Sequence, residues 1–396
     1  MTFNGYLRSD GTAGTRNMTV VLPTINCADA MAHKISKAVE GTMPVLHNHA
    51  CVRVGNDRTV GEKTLLGIGK NPNIGAVLLV GIGCEPMHAD KMVLEIQKCG
   101  KLVDYVSVHE EGDYSQTISE GISKLKELKK QSDKAERTPC DLSKLIVTIK
   151  CTASGTMLLL SNNPVVGAAM DLLVAEGGTA IFSETAEILG AQEILKKKCE
   201  TEETKNKIDE IADSMLKKIN DNGVDILGSE PTLGNIQNGL TTIEEKSLGA
   251  ISKAGETPLK GVLYYGEEPV LGGVNFMDGS SQASPLYLGG FMVGSQIGLL
   301  SMGGGWPARF RGLPSFSSGF RALPTLMVLG SPGDEEVKDD LDFYAGGVIT
   351  GEESIKALGK KLVDKIIDIA NGELTKLDID DDYQEMLQVY AIGVLM

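Results

Sequence analysis

Two rhythms of apolar positions alternate along the chain. Short runs rich in β-branched residues read as buried strands; longer stretches with a period of about 3.6 read as helices. MTVVLPTIN, from Met18, predicts a strand ending near Asn26-Cys27, and 28–40 predicts a helix that Gly41 stops. Pro44–His49 predicts a short strand running into Ala50-Cys51, and 59–69 a helix. Ile74–Ile82 is apolar almost throughout, as in a strand buried on both faces, and ends in Gly83-Cys84-Glu85. A helix to Lys98, a strand Leu102–Val108 ending at His109-Glu110, and a charged helix from Tyr114 to Lys130 follow. Residues 5–17 have no apolar period and predict a loop.

The polar segment 131–140 marks the predicted boundary between domains 1–135 and 136–396. The second opens on a strand, Leu145–Cys151, then a Gly-containing turn, an amphipathic helix closed by Gly177-Gly178, and an apolar run ending at Ser183-Glu184. That βαβ unit requires parallel strands and puts the Cys151 turn at the carboxyl edge of a sheet, where open α/β sheets bind ligands. A charged helical region (186–222), helix within 234–255, strands Gly261–Tyr265 and Gly273–Met277, a helix over 282–294, strands Ile297–Met302 and Thr325–Leu329, and a helix over 352–371 follow. The alternation predicts an α/β protein of two doubly wound, mainly parallel-sheet, Rossmann-like domains facing a cleft.

Charge narrows the partners. Lys+Arg 38 against Asp+Glu 53 gives −15, which argues against nucleic acid or an anionic membrane as partner. A small anionic substrate needs only local positive charge. Arginine forks suit carboxylates and sulfonates, and Arg8, Arg16 and Arg53 near the start, with Arg309, Arg311 and Arg321 further on, are candidates; surface solubility is the other reading. The glycine run Gly303–Gly305, with the only Trp at 306, leads straight into Arg309 and Arg311 and predicts a substrate loop or a flexible one. The N-terminus lacks the apolar core of a signal peptide and seven cysteines is an odd count, so a reduced, cytoplasmic protein is expected.

Chemistry gathers at the predicted strand ends. Cys27, Cys51 and Cys84 each come at or just past the carboxyl end of a parallel strand, so three thiols could converge on one rim; Cys151 could face them across the cleft. Thiolates bind zinc, iron or an iron–sulfur cluster, although free cysteines also fill cores. His49 and His109 suit acid/base or metal work. Glu85 and Glu184 are candidate bases or helix-start acids. GIGCEP lacks the third glycine of a dinucleotide fingerprint, and no Walker A sequence is present, so no nucleotide cofactor is expected.

Several blocks resemble one family, that of the altronate and galactarate dehydratases, which also includes the large subunit of sulfolactate sulfo-lyase. GYLRSDGTAGTRN (5–17), VLPTINCADA (21–30), HNHACV (47–52), NPNIGAVLLVGIGCE (71–85), the long block 161–195, GNIQNGLTTIEEKSLGAISKAG (234–255) and DFYAGGVITGEE (342–353) carry the likeness, which covers almost the whole chain. The resemblance implies a hydro-lyase of carbohydrate acid metabolism that eliminates water, or sulfite in the sulfo-lyase, from a small anionic 2-hydroxy acid. It implies a divalent metal, iron before manganese or zinc, here at Cys27, Cys51, Cys84 and Cys151. His49, Glu85, Lys150 and His109 would be catalytic; Arg8, Arg16, Arg53, Arg309, Arg311 and Ser154 would hold substrate. A small partner subunit is also implied, and a homo-oligomer is expected.

Three places depart from the family pattern. ECGGSD is here Lys150-Cys151-Thr152-Ala153-Ser154-Gly155, HGCGQ is His49-Ala50-Cys51-Val52-Arg53, and FTTGRGT is Leu300–Trp306. Carboxylates give way to Lys150, and Arg53 is added. The concentration of change at the expected site predicts a changed substrate or leaving group, such as a sulfonate or second carboxylate, with a non-catalytic anion-binding subunit as the alternative.

Overall fold

The computed structural model of the chain describes residues 1–223, 230–303, 320–330, 341–379 and 386–391. The first half contributes β1 (Thr2–Leu7), β2 (Ala13–Gly14), β3 (Met18–Pro23), α1 (Asp29–Lys37), β4 (Thr42–Pro44), β5 (Leu46–His47), α2 (Gly55–Lys70), β6 (Ile74–Gly81), α3 (Ala89–Gln97), β7 (Leu102–Ser107), α4 (Val108–Glu111), α5 (Tyr114–Ser132) and β8 (Thr138–Asp141). Four of these strands form a parallel sheet in the order β4-β3-β6-β7. Every residue of β6 is buried, as its unbroken apolar run requires. Met31 and Ile35 of α1 and Leu125 and Leu128 of α5 cover one face. Leu65 and Ile68 of α2 and Met92 and Ile96 of α3 cover the other.

The second half contributes β9 (Ile146–Thr152), α6 (Asn163–Ala175), β10 (Thr179–Ser183), β11 (Leu259–Leu263), β12 (Val274–Met277), β13 (Ile297–Met302), β14 (Thr325–Leu329), β15 (Phe343–Tyr344) and β16 (Met386–Leu387). Seven of them make one sheet, β11-β12-β10-β9-β13-β14-β15, parallel at every pairing. The chain adds strands on one side of β9, then crosses to add β13 on the other. The carboxyl ends of β9 and β13 therefore flank a topological switch point, the usual place for a ligand in such sheets. The segment Leu158–Ala175, which includes α6, is long and apolar enough to cross a bilayer, but 56% of it is buried in the fold. Val165, Ala169 and Leu173 pack in one core with Leu358, Leu362 and Ile366 of the helix Ile355–Ala370.

The mainly parallel α/β architecture is as expected, with one parallel sheet from each half of the chain, and the two halves share a hydrophobic core. The core on the α2–α3 face of the first sheet also contains Leu286, Leu288, Phe291, Leu300 and Leu387 from the second half. β16 pairs with β5 across the same divide. The polar segment at the predicted boundary is not simply a linker, since β8 lies antiparallel along β1, with Phe3 opposite Cys140. Both strands are short and mostly polar, and their stability comes from each other, so no local apolar rhythm announces them.

Candidate active site

Two groups of reactive side chains stand at the carboxyl edges of the two parallel sheets. The first is the rim predicted from the cysteines. Cys27 lies in the turn Asn26–Ala28 directly after β3, Cys51 lies past β5 and Cys84 past β6, and all three are exposed. The Cys84 thiol is held above its usual pKa, by burial first and then by the charges of Glu85, Cys51 and Cys27. Glu85 is buried beneath this rim. Its Oε1 accepts from Thr24 Oγ1 at 3.0 Å, and its Oε2 accepts from the Gly83 and Ile82 N–H groups at 2.7 and 3.2 Å. Those bonds shape the Cys84 turn, so Glu85 positions the thiol rather than standing free as a base. Gly83 has φ +104°, and a Cβ there would lie 2.4 Å from that of His109. Glycine thus lets the turn close against His109, which is exposed.

His47 and His49 lie behind the rim. His47 Nε2 donates to the Pro23 carbonyl at 2.7 Å, and its Nδ1 accepts from the His49 N–H at 3.2 Å. That pairing fixes a neutral ring, and burial lowers its pKa to about 4. Burial also takes His49 to about 4, followed by the charges of His47 and Arg53. Its ring lies against Gly61, where a Cβ would stand 2.2 Å from Cε1, and its Nδ1 is buried without a hydrogen-bond partner.

The arginines are placed otherwise than the sequence suggested. Arg8 donates to the Pro72 and Arg16 carbonyls and to Asn17 Oδ1. Arg16 donates to the carbonyls of Thr15, Ile369 and Glu373 and pairs with Asp378 at 3.1 Å. Both precede β3, whose first residue Met18 sits opposite Ile74 of β6, so they lie at the amino edge, away from the rim. Arg53 is buried too. It donates to the Tyr390 and Val389 carbonyls at 2.9 and 3.1 Å and to Asn48 Oδ1 at 3.3 Å. Residues this close in sequence to glycine-rich turns could have faced a substrate; here their forks satisfy main-chain carbonyls. Arg309 and Arg311 lie outside the described residues.

The second group is buried at the ends of β9 and β10. Lys150 Nζ lies 2.7 Å from Glu184 Oε2, with both side chains 5% exposed. Lys253 Nζ donates to Glu187 Oε2 at 2.5 Å and to Cys151 Sγ at 3.0 Å, and Cys151 Sγ donates to Glu187 Oε2 at 3.1 Å. Lys246 pairs with Glu230 at 2.5 Å at the edge of this group. Burial and then Glu187 push the Cys151 thiol up to about 12. So protonated, and enclosed by Leu158 and Ala250, the thiol acts as a hydrogen-bond donor to Glu187. Burial, then Glu187, raises Glu184 to about 7 against the pull of Lys150. For Glu187 burial is outweighed by Lys253, Lys246 and Lys150, and its pKa falls. Successive residues of a strand face opposite sides, which is why Lys150 reaches Glu184 and Cys151 reaches Glu187.

Backbone strain marks the same place. Among the described residues, Ala153 (φ 50°) and Glu184 (φ 95°) are the only non-glycine residues in the left-handed region; strained backbone concentrates at functional sites. Ser154, in the Ala153 turn, is buried and its carbonyl accepts from Asn235 Nδ2 at 3.1 Å. Ser301 of β13, opposite Cys151 in register, has a buried hydroxyl without a partner. Beside Glu184, Thr185 opens onto a cleft of 280 Å³ lined also by Ser214, Lys218, Asp278, Ser280, Ser281 and Tyr390. Tyr390 stacks on Tyr265 with centroids 4.5 Å apart, and its carbonyl is the one Arg53 holds, so the Cys51 loop and the cleft are mechanically joined.

Sequence reading missed Lys253, Glu187, Lys246, Asp278 and Tyr390. Glu187 alone had a signal, lying three residues past Glu184; the others come from remote segments. Among the described residues, no three His, Cys, Asp or Glu side chains stand close enough to grip a single metal ion.

Comparison with known proteins agrees along the whole chain. Residues 5–133 match the second domain of D-galactarate dehydratase/altronate hydrolase, and residues 142–393 match the C-terminal domain of D-galactarate/altronate dehydratase. The chain is 32% identical to the (2R)-sulfolactate sulfo-lyase subunit beta of Chromohalobacter salexigens, over 95% of this chain and 94% of that one. It is 27% identical to altronate dehydratase of Bacillus subtilis over 100% and 78%, and 28% identical to galactarate dehydratase of Escherichia coli over 94% and 73%. With a strand-end constellation of acids, lysines and thiols on a matching scaffold, the chain belongs to the D-galactarate/altronate dehydratase family.

Proposed function

We propose that this protein is a lyase that removes water or another β-leaving group from a small anionic 2-hydroxy acid by abstracting the proton next to the carboxylate. The Lys150–Glu184 pair carries this reading. A carboxyl whose pKa is raised to about 7 can take and return a proton at neutral pH. An ammonium 2.7 Å away can stabilise the negative charge that develops on an enediolate. The strained backbone of Glu184 leads directly into Thr185, which lines the cleft. There the hydroxyls of Ser214, Ser280 and Ser281 suit the substrate's own hydroxyls, and Lys218 suits its carboxylate. Iron at the cysteine rim would supply a Lewis acid for the leaving hydroxyl; the described residues do not fit a single ion, so no step is assigned to it.

Elimination of sulfite is the second reading. It is favoured by the 32% identity with a sulfo-lyase subunit across 94% of that protein. On that reading the chain works with a small partner subunit. The test is an elimination assay over sugar acids, tartrate-like diacids and sulfolactate, with iron, with and without a candidate partner, following 2-oxo acid and sulfite. Turnover should rise with pH through about 7, as Glu184 loses its proton, and Glu184→Gln should lower kcat by about 10²- to 10⁴-fold. Acid binding without product in any combination would instead make the chain a non-catalytic anion-binding subunit.

A further inference from the structure

Cys151, Lys253 and Glu187 form a closed triangle that the lyase reading leaves unused. Lys253 Nζ lies 3.0 Å from Cys151 Sγ and 2.5 Å from Glu187 Oε2, and Cys151 Sγ lies 3.1 Å from the same carboxylate oxygen. Cys151 and Lys253 are each 1% exposed. β9 brings the thiol, the turn Ser252–Ala254 the lysine and the turn Thr185–Ile188 the acid. Three segments remote in sequence thus hold a sulfur and a nitrogen in contact, with one proton acceptor touching both. A fourth group lies beside them. Ser301 of β13 pairs in register with Cys151, so the two side chains leave the sheet on the same face, one strand spacing apart. The Ser301 hydroxyl is buried and has no hydrogen-bond partner. Such a group is costly unless something arrives to accept from it.

We propose that Cys151 and Lys253 are a redox modification site, at which dioxygen joins Sγ to Nζ through a single bridging oxygen. The separation selects this product. One oxygen atom fits between a sulfur and a nitrogen 3.0 Å apart with little movement of either. A direct sulfur–nitrogen bond, as formed when a sulfenic acid condenses with nitrogen, would draw Lys253 onto Cys151 and off Glu187. The step balances: the thiol, the ammonium and one dioxygen give the S–O–N bridge, one water and one proton. Sulfur and nitrogen each give up two electrons, and dioxygen takes all four. The released proton goes to Glu187, already within reach of both partners. Ser301 gains the bridging oxygen as an acceptor. Burial selects the oxidant as well. Dioxygen is small and uncharged and reaches interior groups through local opening, whereas bulky or charged reductants are kept off the product. The bridge removes the charge of Lys253 and the ionisation of Glu187, both of which act on Glu184. Oxygen exposure would thereby reach the pair proposed for proton transfer, but the bridge itself does not depend on turnover.

The test compares the full chain purified without oxygen with the same protein held in air-saturated buffer. Both samples are first treated, still folded, with a phosphine reductant, which clears oxidation of the exposed Cys27, Cys51 and Cys84. After unfolding, the anaerobic sample should titrate all seven thiols of the sequence. The aerated sample should titrate one fewer, with a mass gain of one oxygen less two hydrogens. Proteolysis should then yield a cross-linked peptide pair holding Cys151 and Lys253, which separates once the unfolded protein is reduced. Cys151→Ala and Lys253→Arg should abolish the mass gain, and Cys199→Ser, at another buried thiol, should keep it. Circular dichroism shows which variants fold, and peptide mapping of the wild-type chain decides the matter where they do not. Unchanged mass and seven free thiols after aeration would overturn the proposal. Sulfinic acid at Cys151 beside an unmodified Lys253, or loss of two hydrogens without added oxygen, would do so equally. A bridged protein that converts no acid removes the lyase reading and leaves the bridge standing; an active protein that never forms the bridge does the reverse.

Discussion

His47 shows how one buried side chain sets a pH dependence. Its ring is neutral in the fold, with a pKa of about 4 against 6.5 when free. The unfolded chain therefore binds a proton between these values that the folded chain refuses, and stability falls as pH drops from about 6.5 to about 4. For this one group the change amounts to about 3 kcal/mol. Denaturant titrations of wild type and His47→Gln at pH 7 and pH 4.5 should show a steeper acid loss in the wild type; equal slopes would refute the assignment. At the same scale Lys150, which stands where the resemblance places a carboxylate, directs its charge at Glu184, 2.7 Å away. The added positive charge is therefore met by an acid inside the fold. The added charge of Arg53 is likewise turned inward, onto the carbonyls of Val389 and Tyr390.

Among the elements, α2 shows most plainly how the halves are pressed together. Its Gly67 lies against the helix Ala283–Met292, and a Cβ there would stand 2.4 Å from the Met292 carbonyl oxygen. Main chain cannot step aside as a side chain can. Gly67→Ala should therefore destabilise by about 1–3 kcal/mol, read as a lower denaturation midpoint, with the cysteine rim unchanged in thiol reactivity. An unaffected midpoint would mean that the two helices are free to separate. Strand period also divided the labour of β9: Lys150 and Cys151 are adjacent in sequence but serve separate ion pairs. The sequence located this strand and its carboxyl end. It could not say that Lys253 and Glu187 wait there, because no periodic signal ties a residue in the 252–254 turn to one at 151.

For the whole molecule, amide side chains at the amino edge bind the two sheets. Asn73 Nδ2 donates to the carbonyls of Gln296 and Ala322 at 2.8 and 2.7 Å, and its Oδ1 accepts from the Thr15 N–H at 2.8 Å. Gln296 in turn donates to the carbonyls of Ala13 and Lys144 at 2.8 and 2.6 Å. Asn73→Leu would strand three buried main-chain groups, each costing about 1–3 kcal/mol. We expect it to lower the midpoint far more than Gly67→Ala does, with circular dichroism still tracing a single transition because the core is shared. Two separated transitions would restore the picture of independent domains. Arg8 and Arg16 belong to this edge, which is why they contribute to assembly and not to the cleft.

Much of this protein was determined by the sequence alone. The apolar runs of β3, β6, β9 and β10 specify buried parallel strands, since only helices packed on both faces can satisfy such runs. Parallel strands then send every residue just past their carboxyl ends to one edge, which is how Cys27, Cys51 and Cys84 could be grouped without any proximity along the chain. Only tertiary structure decided the rest. It joined the halves through one core, turned Arg8, Arg16 and Arg53 inward, withdrew Cys151 into an ion-paired interior and assembled Lys150 with Glu184 beside the cleft. Hydrophobic period is a local property that survives translation into elements. Charge pairing and the destination of a long side chain depend on which distant segment arrives opposite it, and that is fixed only when the whole chain packs.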